Sequence, residues 1–295
     1  MAAHTLNSFS QQAGVPSEPK SNQPSEKRDY GSKPFRVAVA LGESTTAGGT
    51  ATSRELSWVN RLAELISESQ VEPVKMINSG IGANVVSRRS PEYENSGKPS
   101  AMERYKKHVI EHHPDLVLVS YGLNDARGGT PLAQFLEDLR QIVMDIKSQT
   151  GALTVIVNAY FMTGFDRYIP FNKANVATFM GYNAGLKRLA QECDSLYADV
   201  FAAEDLAPWM IDPDGVHANN LGHRIIANRI FEVLAQNCSG LSQEAFELRK
   251  NFKQWRDESV LKKVYLPSPA HAGAVQCIPL RVEFDCCPIL TKPSI

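Results

Sequence analysis

The amino-acid sequence predicts an α/β fold, a three-layer α/β/α sandwich around a mainly parallel five-stranded sheet. Within residues 35–235, short apolar runs alternate five times with amphipathic helical segments, the order that is typical of strands joined by helical crossovers. The runs are continuously apolar, as expected of parallel strands that helices cover on both faces. Right-handed crossovers then place helices above and below the sheet.

The individual elements follow from these patterns in chain order. Predicted strands cover residues 35–41, 74–77, 116–121, 153–160 and 195–200. Predicted helices cover residues 54–69, 101–113, 172–193 and 220–235, and a further helix begins at Pro131 with Thr130 as its cap. Thr52 and Glu55 have the spacing of a capping box before the first of these helices.

The two ends of the chain differ in composition from its body. Residues 1–33 carry Ser, Gln, Pro and Glu without an apolar run, so we expect a disordered segment with no secretory signal and a cytoplasmic protein. One domain is expected over residues 34–240. Residues 241–295 are expected to form an appendage of unknown role, with a charged amphipathic helix over 243–264 and an irregular tail.

The composition argues against several classes of protein. The chain of 295 residues carries 31 Lys and Arg against 32 Asp and Glu, a formal charge of −1, so we expect no nucleic-acid partner. It has no apolar run of about 18 residues, so we expect no membrane-spanning helix. Cys193 and Cys238 are expected to be free thiols, and the spacing of Cys277, Cys286 and Cys287 matches no zinc site.

The first candidate for chemistry is Ser44, which follows the first strand in the segment Gly42-Glu-Ser-Thr-Thr-Ala-Gly-Gly49. The segment has no lysine for a phosphate-binding loop and lacks the glycine order of a dinucleotide fingerprint. Thr46 replaces the second glycine of an α/β-hydrolase nucleophile elbow. Ser44 is therefore either a cap or turn residue or a nucleophile presented at the end of a strand.

The next two strands are also followed by candidate residues. The segment 78–84 contains Gly80 and Gly82, which favour a loop that aims backbone N–H groups at an anion. Beyond the third strand, Asn124 has a side-chain amide that can donate to an oxyanion, and Asp125 can brace the loop. A plain turn is the alternative for both segments.

An acid and a base lie three residues apart before the last helix. Asp214 can orient the imidazole of His217 and leave Nε2 free to act as a base. His223 lies within the following helix and is expected to be structural. A metal site formed by Asp212, Asp214 and His217 is the alternative, but it lacks a further ligand. Taken together, the nucleophile, the amide loop, the Asn donor and the Asp/His pair are the parts that acyl transfer needs.

In these segments the sequence resembles the SGNH hydrolases, the GDSL family of esterases and lipases. The resemblance covers about residues 35–235 and rests on four motifs in order, which are Gly42-Glu43-Ser44, Asn78-Ser-Gly-Ile-Gly-Ala-Asn84, Gly122-Leu-Asn-Asp125 and Asp214-Gly-Val-His217. It implies the flavodoxin-like sheet of that family. It also implies a serine esterase that works through an acyl-enzyme, without a cofactor or a metal.

The resemblance assigns roles residue by residue. Ser44 would be the nucleophile, His217 the base and Asp214 the residue that orients it. The oxyanion hole would consist of the Ser44 N–H, the Ala83 N–H and the Asn124 side chain.

Two positions depart from the family pattern. Glu43 stands where Asp is usual, and Ala83 stands where glycine is usual, unless Gly80 or Gly82 supplies the N–H in another register.

The substrate class stays open at this point. Small-molecule, lipid and acetylated-sugar esters all fit the resemblance. Residues 87–99 and 162–172 are expected to line the pocket, and Phe161, Phe165, Tyr168 and Phe171 either contact substrate or form a packed lid. The alternatives to an esterase are a non-catalytic module that binds an acyl group or a sugar, and a metal-dependent phosphoesterase.

Overall fold

The protein folds around a single parallel sheet. The computed structural model describes residues 27–250. The five strands are β1 (Val37–Gly42), β2 (Lys75–Gly80), β3 (Leu116–Ser120), β4 (Leu153–Val157) and β5 (Leu196–Ala198), in the order β2-β1-β3-β4-β5. Every neighbouring pair is parallel. The predicted α/β fold with a five-stranded parallel sheet is confirmed.

Helices cover both faces of this sheet. They are α1 (Ser44–Ala47), α2 (Trp58–Glu68), α3 (Tyr93–Ser96), α4 (Ala101–His108), α5 (Leu123–Gly128), α6 (Leu132–Thr150), α7 (Val176–Glu192), α8 (Val200–Glu204), α9 (Asn220–Asn237) and α10 (Gln243–Lys250). Helix α2 packs on α9 in one layer, while α4 packs on α6 and α6 on α7 in the other. The buried aliphatic and aromatic side chains lie between these layers and the sheet.

Strand β2 is longer than predicted because it is an edge strand. The prediction ended it at Ile77, where the apolar run stops. Its pairing with β1 continues through Asn78 and Ser79 to Gly80, opposite Gly42. An edge strand has only one neighbour, so polar side chains are tolerated within it.

Three predicted helix starts are wrong. Helix α2 is capped by Ser57 instead of a Thr52–Glu55 box, because a 3₁₀ turn at Arg54–Leu56 precedes it. Thr130 does not cap α6, since its hydroxyl donates to Asp125 Oδ1 at 3.2 Å. Helix α7 begins at Val176, later than predicted, because the Asn175 side chain accepts the Thr178 N–H at 2.9 Å.

The segment just before the first strand is held against the fold. Residues 27–33 fall within the stretch expected to be disordered. Nevertheless Arg28 forms an ion pair with Asp194 at 2.7 Å, and the Tyr30 N–H donates to the Asn237 carbonyl at 2.8 Å. The compact unit that contains the sheet ends at Arg249, within α10 and beyond the predicted boundary at 240. The predictions for residues 1–26 and 251–295, including the last three cysteines, lie outside the described residues.

Neither described cysteine forms a disulfide bond. Cys193 and Cys238 are both free and buried. Among residues 27–250, no helix has the length and apolar character needed to cross a membrane.

One carboxyl group is buried within the layer that contains α8 and α9. Glu204 is fully buried; its Oε2 accepts the Phe161 N–H at 2.7 Å, and its Oε1 has no hydrogen-bond partner among the described residues. Burial raises the pKa of Glu204 from the ordinary 4.5 to about 8. The pKa of Glu204 is therefore higher in the folded protein than in the unfolded chain. Its contribution to the free energy of unfolding is fully present below pH 4.5 and is lost as the pH rises through about 8.

The variant Glu204→Gln tests this assignment. We expect the free energy of unfolding of the unmodified protein to fall between pH 6 and pH 9 by about 2–3 kcal/mol more than that of the variant, since the amide does not ionise. Denaturant unfolding of both proteins at the two pH values measures the difference. An identical pH dependence in the two proteins would contradict the raised pKa.

Candidate active site

The candidate site lies where the sheet order changes direction. From β1 the chain passes to β2 on one side, and β3 lies on the other side of β1. The loops that follow β1 and β3 therefore diverge, and the carboxyl ends of these strands form a crevice. Gly42 at the end of β1 is level with both Gly80 on β2 and Ser120 on β3, so three loops leave the sheet side by side.

Ser44 is placed at the start of helix α1, directly above the end of β1. This short helix crosses over β2 at close range. A Cβ atom at Gly80 would lie only 2.1 Å from the Ala47 nitrogen, so that position requires glycine. The close approach fixes α1 against the sheet, and the Ser44 hydroxyl lies at a half-buried position.

The structure brings Ser44 to the Asp214–His217 loop, 173 residues further along the chain. The Ser44 Oγ lies 2.8 Å from His217 Nε2, and His217 Nδ1 lies 2.5 Å from Asp214 Oδ2. An antiparallel bridge between Ile211 and Ala218 closes this loop. The predicted nucleophile, base and orienting carboxylate therefore form one continuous hydrogen-bonded chain.

The Asp214 carboxylate is held by the loop that carries it. Its Oδ1 accepts the N–H groups of Val216 at 2.7 Å and His217 at 2.9 Å. Gly215 between them has φ +76°, a conformation that glycine adopts without strain. Burial opposes ionisation, but the hydrogen bonds from the His217 ring and from these two N–H groups lower the pKa of Asp214 below its ordinary value. Asp214 is thus an anion beside the imidazole at neutral pH.

His223 links the helices around the site, in agreement with its expected structural role. Its Nδ1 accepts the Trp58 N–H at 3.2 Å, and its Nε2 faces the Gly49 carbonyl at 3.0 Å. Burial lowers the pKa of His223, so the ring is neutral and donates through Nε2. Gly49 in turn donates its N–H to the Ser44 carbonyl at 2.8 Å. His223 therefore connects α9 to the segment that carries Ser44.

The loop after β2 runs past Ser44. A Cβ atom built at Gly82 would lie 3.9 Å from the Ser44 Cβ. Ala83 has φ +55°, a left-handed conformation that suits glycine, the residue that the family resemblance implies at this position. The Gly80 N–H is already donated to Asn78 Oδ1 at 2.9 Å. Lys98 Nζ donates to the Gly82 carbonyl at 2.7 Å and so fixes the peptide that carries the Ala83 N–H.

Asn124 lies at the start of helix α5, opposite this loop. Its Nδ2 donates to the Asn84 carbonyl at 3.1 Å, which ties the two loops together. An amide NH₂ group has two hydrogens, so one donor remains for a ligand. Asn124 is buried, so its side chain and the Asn84 carbonyl hold their relative positions before any ligand binds.

Glu43 sets the position of Asn124. Its carboxylate accepts the backbone N–H groups of Gly122 at 3.1 Å and Asn124 at 3.2 Å, at the N-terminus of α5. Burial, with the nearby Asp125 carboxyl, raises the pKa of Glu43 well above its ordinary value. Glu43 thus places a carboxyl group between the β1 and β3 loops, as the aspartate implied by the family resemblance would.

Asp125 braces the same region, as the sequence suggested. It accepts the Val86 N–H at 3.0 Å and the Thr130 hydroxyl at 3.2 Å. Burial raises its pKa to about 7. Asp125 is therefore a structural residue of the loop rather than a group directed at a substrate.

A buried polar cluster beneath the loop that contains Ala83 was not predicted from the sequence. Arg104 donates to the Ser79 carbonyl at 2.7 Å and to the Tyr121 hydroxyl at 2.5 Å. The Tyr121 hydroxyl donates to Asn84 Oδ1 at 2.6 Å. The only available signal was the position of Arg104 on the face of α4 that also carries buried Ala101 and Tyr105. The cluster supports the loop that contains Ala83.

The four aromatic residues of the β4–α7 connection have different environments. Phe161 and Phe171 are buried, and the half-buried Phe165 packs edge-on against Phe179 with centroids 5.2 Å apart. Tyr168 is 54% exposed, and its hydroxyl donates to Asp214 Oδ2 at 3.2 Å. Three of the four residues therefore pack within the fold, and only Tyr168 reaches the site.

The alternative metal site finds little support in the arrangement of its side chains. Asp212 Oδ1 accepts the Asp214 N–H at 3.2 Å, and the Asp214 oxygens face the donors described above. Among residues 27–250, no three His, Cys, Asp or Glu side chains are grouped as ligands of one metal ion. The loop is built to hold an imidazole.

Comparison with protein families agrees with this geometry. The model of the GDSL-like Lipase/Acylhydrolase family matches residues 40–225, a stretch that begins in β1 and ends in α9. The chain belongs to this family, and it is an SGNH-type hydrolase that acts on ester bonds. None of the curated proteins matches the sequence.

Solved structures show the same fold. A lipase/acylhydrolase from Enterococcus faecalis superposes with a TM-score of 0.54 at 19% identity, over 68% of this chain and 96% of that protein. Axe2, an acetylxylan esterase from Geobacillus stearothermophilus, superposes with a TM-score of 0.53 at 21% identity, over 69% of this chain and 95% of that protein. At these identities the likeness concerns the fold.

Replacing Glu43 by alanine tests its structural role. The change leaves two buried N–H groups without an acceptor, so we expect the free energy of unfolding to fall by about 2–4 kcal/mol. Glu43→Gln retains an acceptor oxygen and should stay within about 1 kcal/mol of the unmodified protein. Denaturant unfolding measures both, with the exposed Glu64→Ala on α2 as control. A Glu43→Ala variant as stable as the control would contradict the role.

Proposed function

We propose that the protein is a serine esterase in which Ser44 is the nucleophile, His217 the general base and Asp214 the residue that orients the base. The observation that carries the proposal is the unbroken chain from Ser44 Oγ through both ring nitrogens of His217 to Asp214. Nucleophile, base and orienting group within hydrogen-bond reach are the arrangement that covalent acyl transfer requires.

Each of these three side chains has a role in the reaction. Ser44 Oγ attacks the ester carbonyl carbon while its proton passes to His217 Nε2. The resulting imidazolium is stabilised by the Asp214 carboxylate at Nδ1. His217 then gives the proton to the leaving alkoxide, and the acyl group remains on Ser44. Water then attacks the acyl-enzyme while His217 takes its proton, and His217 returns that proton to Ser44 Oγ as the acid is released. Because neutral His217 is needed, activity should decline at acidic pH.

The oxyanion that forms in both steps needs preorganised donors. The Ser44 N–H, the Ala83 N–H and the second hydrogen of the Asn124 amide are the proposed donors. The Gly82 carbonyl and the Ala83 N–H belong to the same peptide group. The hydrogen bond from the Lys98 ammonium to this carbonyl polarises the peptide and makes the Ala83 N–H a stronger donor.

We infer that the substrate is an ester of a short acyl group, with a sugar or other small alcohol. Support comes from the structural likeness to an acetylxylan esterase and from the polar character of the oxyanion side, where Lys98 and Asn124 lie. A panel of acetyl, butyryl and octanoyl esters tests this proposal. Turnover that rises from acetyl to octanoyl would favour a lipid substrate instead.

Replacement of Ser44 by alanine tests the nucleophile. We expect hydrolysis of p-nitrophenyl acetate to fall by a factor of about 10⁴ or more, because the covalent route is removed. A fluorophosphonate probe should label Ser44 in the unmodified protein and leave Ser44→Ala unlabelled. The exposed Ser148→Ala on α6 serves as control. Full turnover by folded Ser44→Ala would overturn the assignment, and substrate binding without turnover in the unmodified protein would point to a non-catalytic module.

Asn124→Ala tests the oxyanion hole. We expect kcat to fall about 10²–10³-fold with a small change in KM, since the lost donor acts mainly in the transition state. Steady-state kinetics measure both constants, and Asn228→Ala on the exposed face of α9 is the matched control. Thermal unfolding shows whether the fold persists after the contact to Asn84 is lost. An equal effect on kcat in both variants would contradict the role of Asn124.

A further inference from the structure

Tyr168 stands beside the proposed catalytic pair in an unusual way. Its hydroxyl donates to Asp214 Oδ2, the same oxygen that faces His217 Nδ1. Its ring meets the His217 ring edge-on, with centroids 6.3 Å apart and an interplanar angle of 68°. A residue that contacts both members of the pair is able to set their relative orientation.

The rest of the structure holds this side chain in place. The Arg127 guanidinium carbon lies 5.9 Å from the centroid of the Tyr168 ring. Arg127 is buried on α5, three residues beyond Asn124, and donates to the Arg167 carbonyl at 2.7 Å. The loop of Tyr168 is also joined to that of Asp214, since the Gly164 N–H donates to the Gly215 carbonyl at 2.7 Å. The two loops are therefore hydrogen-bonded to each other.

The backbone at Tyr168 adopts a strained conformation. Tyr168 has φ +58°, in the left-handed region that aromatic residues rarely occupy. Yet 54% of the residue remains exposed, so burial of the ring offsets only part of that strain. Residues kept in such a strained backbone conformation cluster at functional sites.

The position of the ring relates it to the leaving alcohol. His217 Nε2 delivers the proton to the leaving oxygen, so the alcohol departs on the His217 side of Ser44. Tyr168 is 54% exposed and its ring lies edge-on to the His217 ring, so it borders the side of the site on which His217 acts. An exposed aromatic face suits contact with a ring-shaped alcohol.

We propose that Tyr168 is a positioning residue for the Asp214–His217 pair and that its ring is the contact surface for the leaving alcohol. This inference rests on the esterase function proposed above. Its two parts use different atoms, the hydroxyl for positioning and the ring for recognition, so substitutions separate them.

Loss of the hydroxyl should change the pH profile as well as the rate. Without the Tyr168 hydroxyl, the Asp214 carboxylate accepts one hydrogen bond fewer. It then interacts more strongly with the Nδ1 proton of the His217 imidazolium. The acid limb of the kcat/KM profile should then move to higher pH. The other charged or titratable groups around the pair are Asp212 in the same loop, Arg127 on α5 and His223 on α9, and none of them is altered by the change.

The experiment compares two variants on two substrates. In Tyr168→Phe we expect kcat/KM to fall about 3- to 10-fold for both ethyl acetate and benzyl acetate, with the acid limb moved upward by about half a pH unit. In Tyr168→Asn, which tolerates a positive φ, we expect in addition a rise of about 3- to 10-fold in KM for benzyl acetate alone. The two alcohols have similar acidity, so the comparison isolates contact with the ring.

Controls separate this inference from the esterase proposal. Tyr105→Phe removes a hydroxyl that donates to the Asp145 carboxylate on α6, away from Asp214, and should leave rates and pH profile unchanged. Unchanged rates and profile in Tyr168→Phe would overturn the positioning role. An equal KM effect on both esters in Tyr168→Asn, repeated in Tyr168→Ala, would overturn the alcohol contact. If Ser44→Ala is inactive, either of these results refutes only the inference about Tyr168. An active Ser44→Ala refutes the esterase proposal itself.

Discussion

The alignment of three strand ends is the constraint on which the rest of the site depends. Gly42, Gly80 and Ser120 are level across β1, β2 and β3, so the loops that follow leave the sheet at one height. One loop carries Ser44, the second Ala83 and the third Asn124. A shift of one residue in either pairing would turn the strand's side chains to the opposite face and would separate these groups. Parallel hydrogen bonding therefore determines the site geometry.

Buried polar groups convert that alignment into fixed positions. Glu43 joins the end of β1 to the start of α5, and Arg104 joins the ends of β1 and β2 to Tyr121 after β3. Burial of such groups costs free energy unless they are hydrogen-bonded, and here their partners are backbone and side-chain atoms of the strand ends and the loops that follow. Their strict geometry suits a site that must hold donors ready for an oxyanion, because preorganised donors need no rearrangement during reaction.

The periodicity of the sequence was enough to predict the fold, and the order of the motifs was enough to predict which residues meet. Apolar runs of strand length locate all five strands, but the run at β2 covers only its first three residues because the rest of this edge strand is polar. The helix starts at Ser57 and Asn175 were missed because several Ser, Thr and Asn residues compete for each cap. The roles of Glu43 and Arg104 and the hydrogen bond from Tyr168 to Asp214 were missed for another reason: the partners are not neighbours in the sequence, and one sequence carries no signal for such contacts.

The central claim is that Ser44 and His217 act as one unit. Kinetics of Ser44→Ala, His217→Ala and the double variant on p-nitrophenyl acetate test it most directly, because residues that act together have non-additive effects. The account predicts that the double variant is no slower than the more damaged single variant. Losses that multiply in the double variant, or a single variant that keeps full turnover, would contradict it.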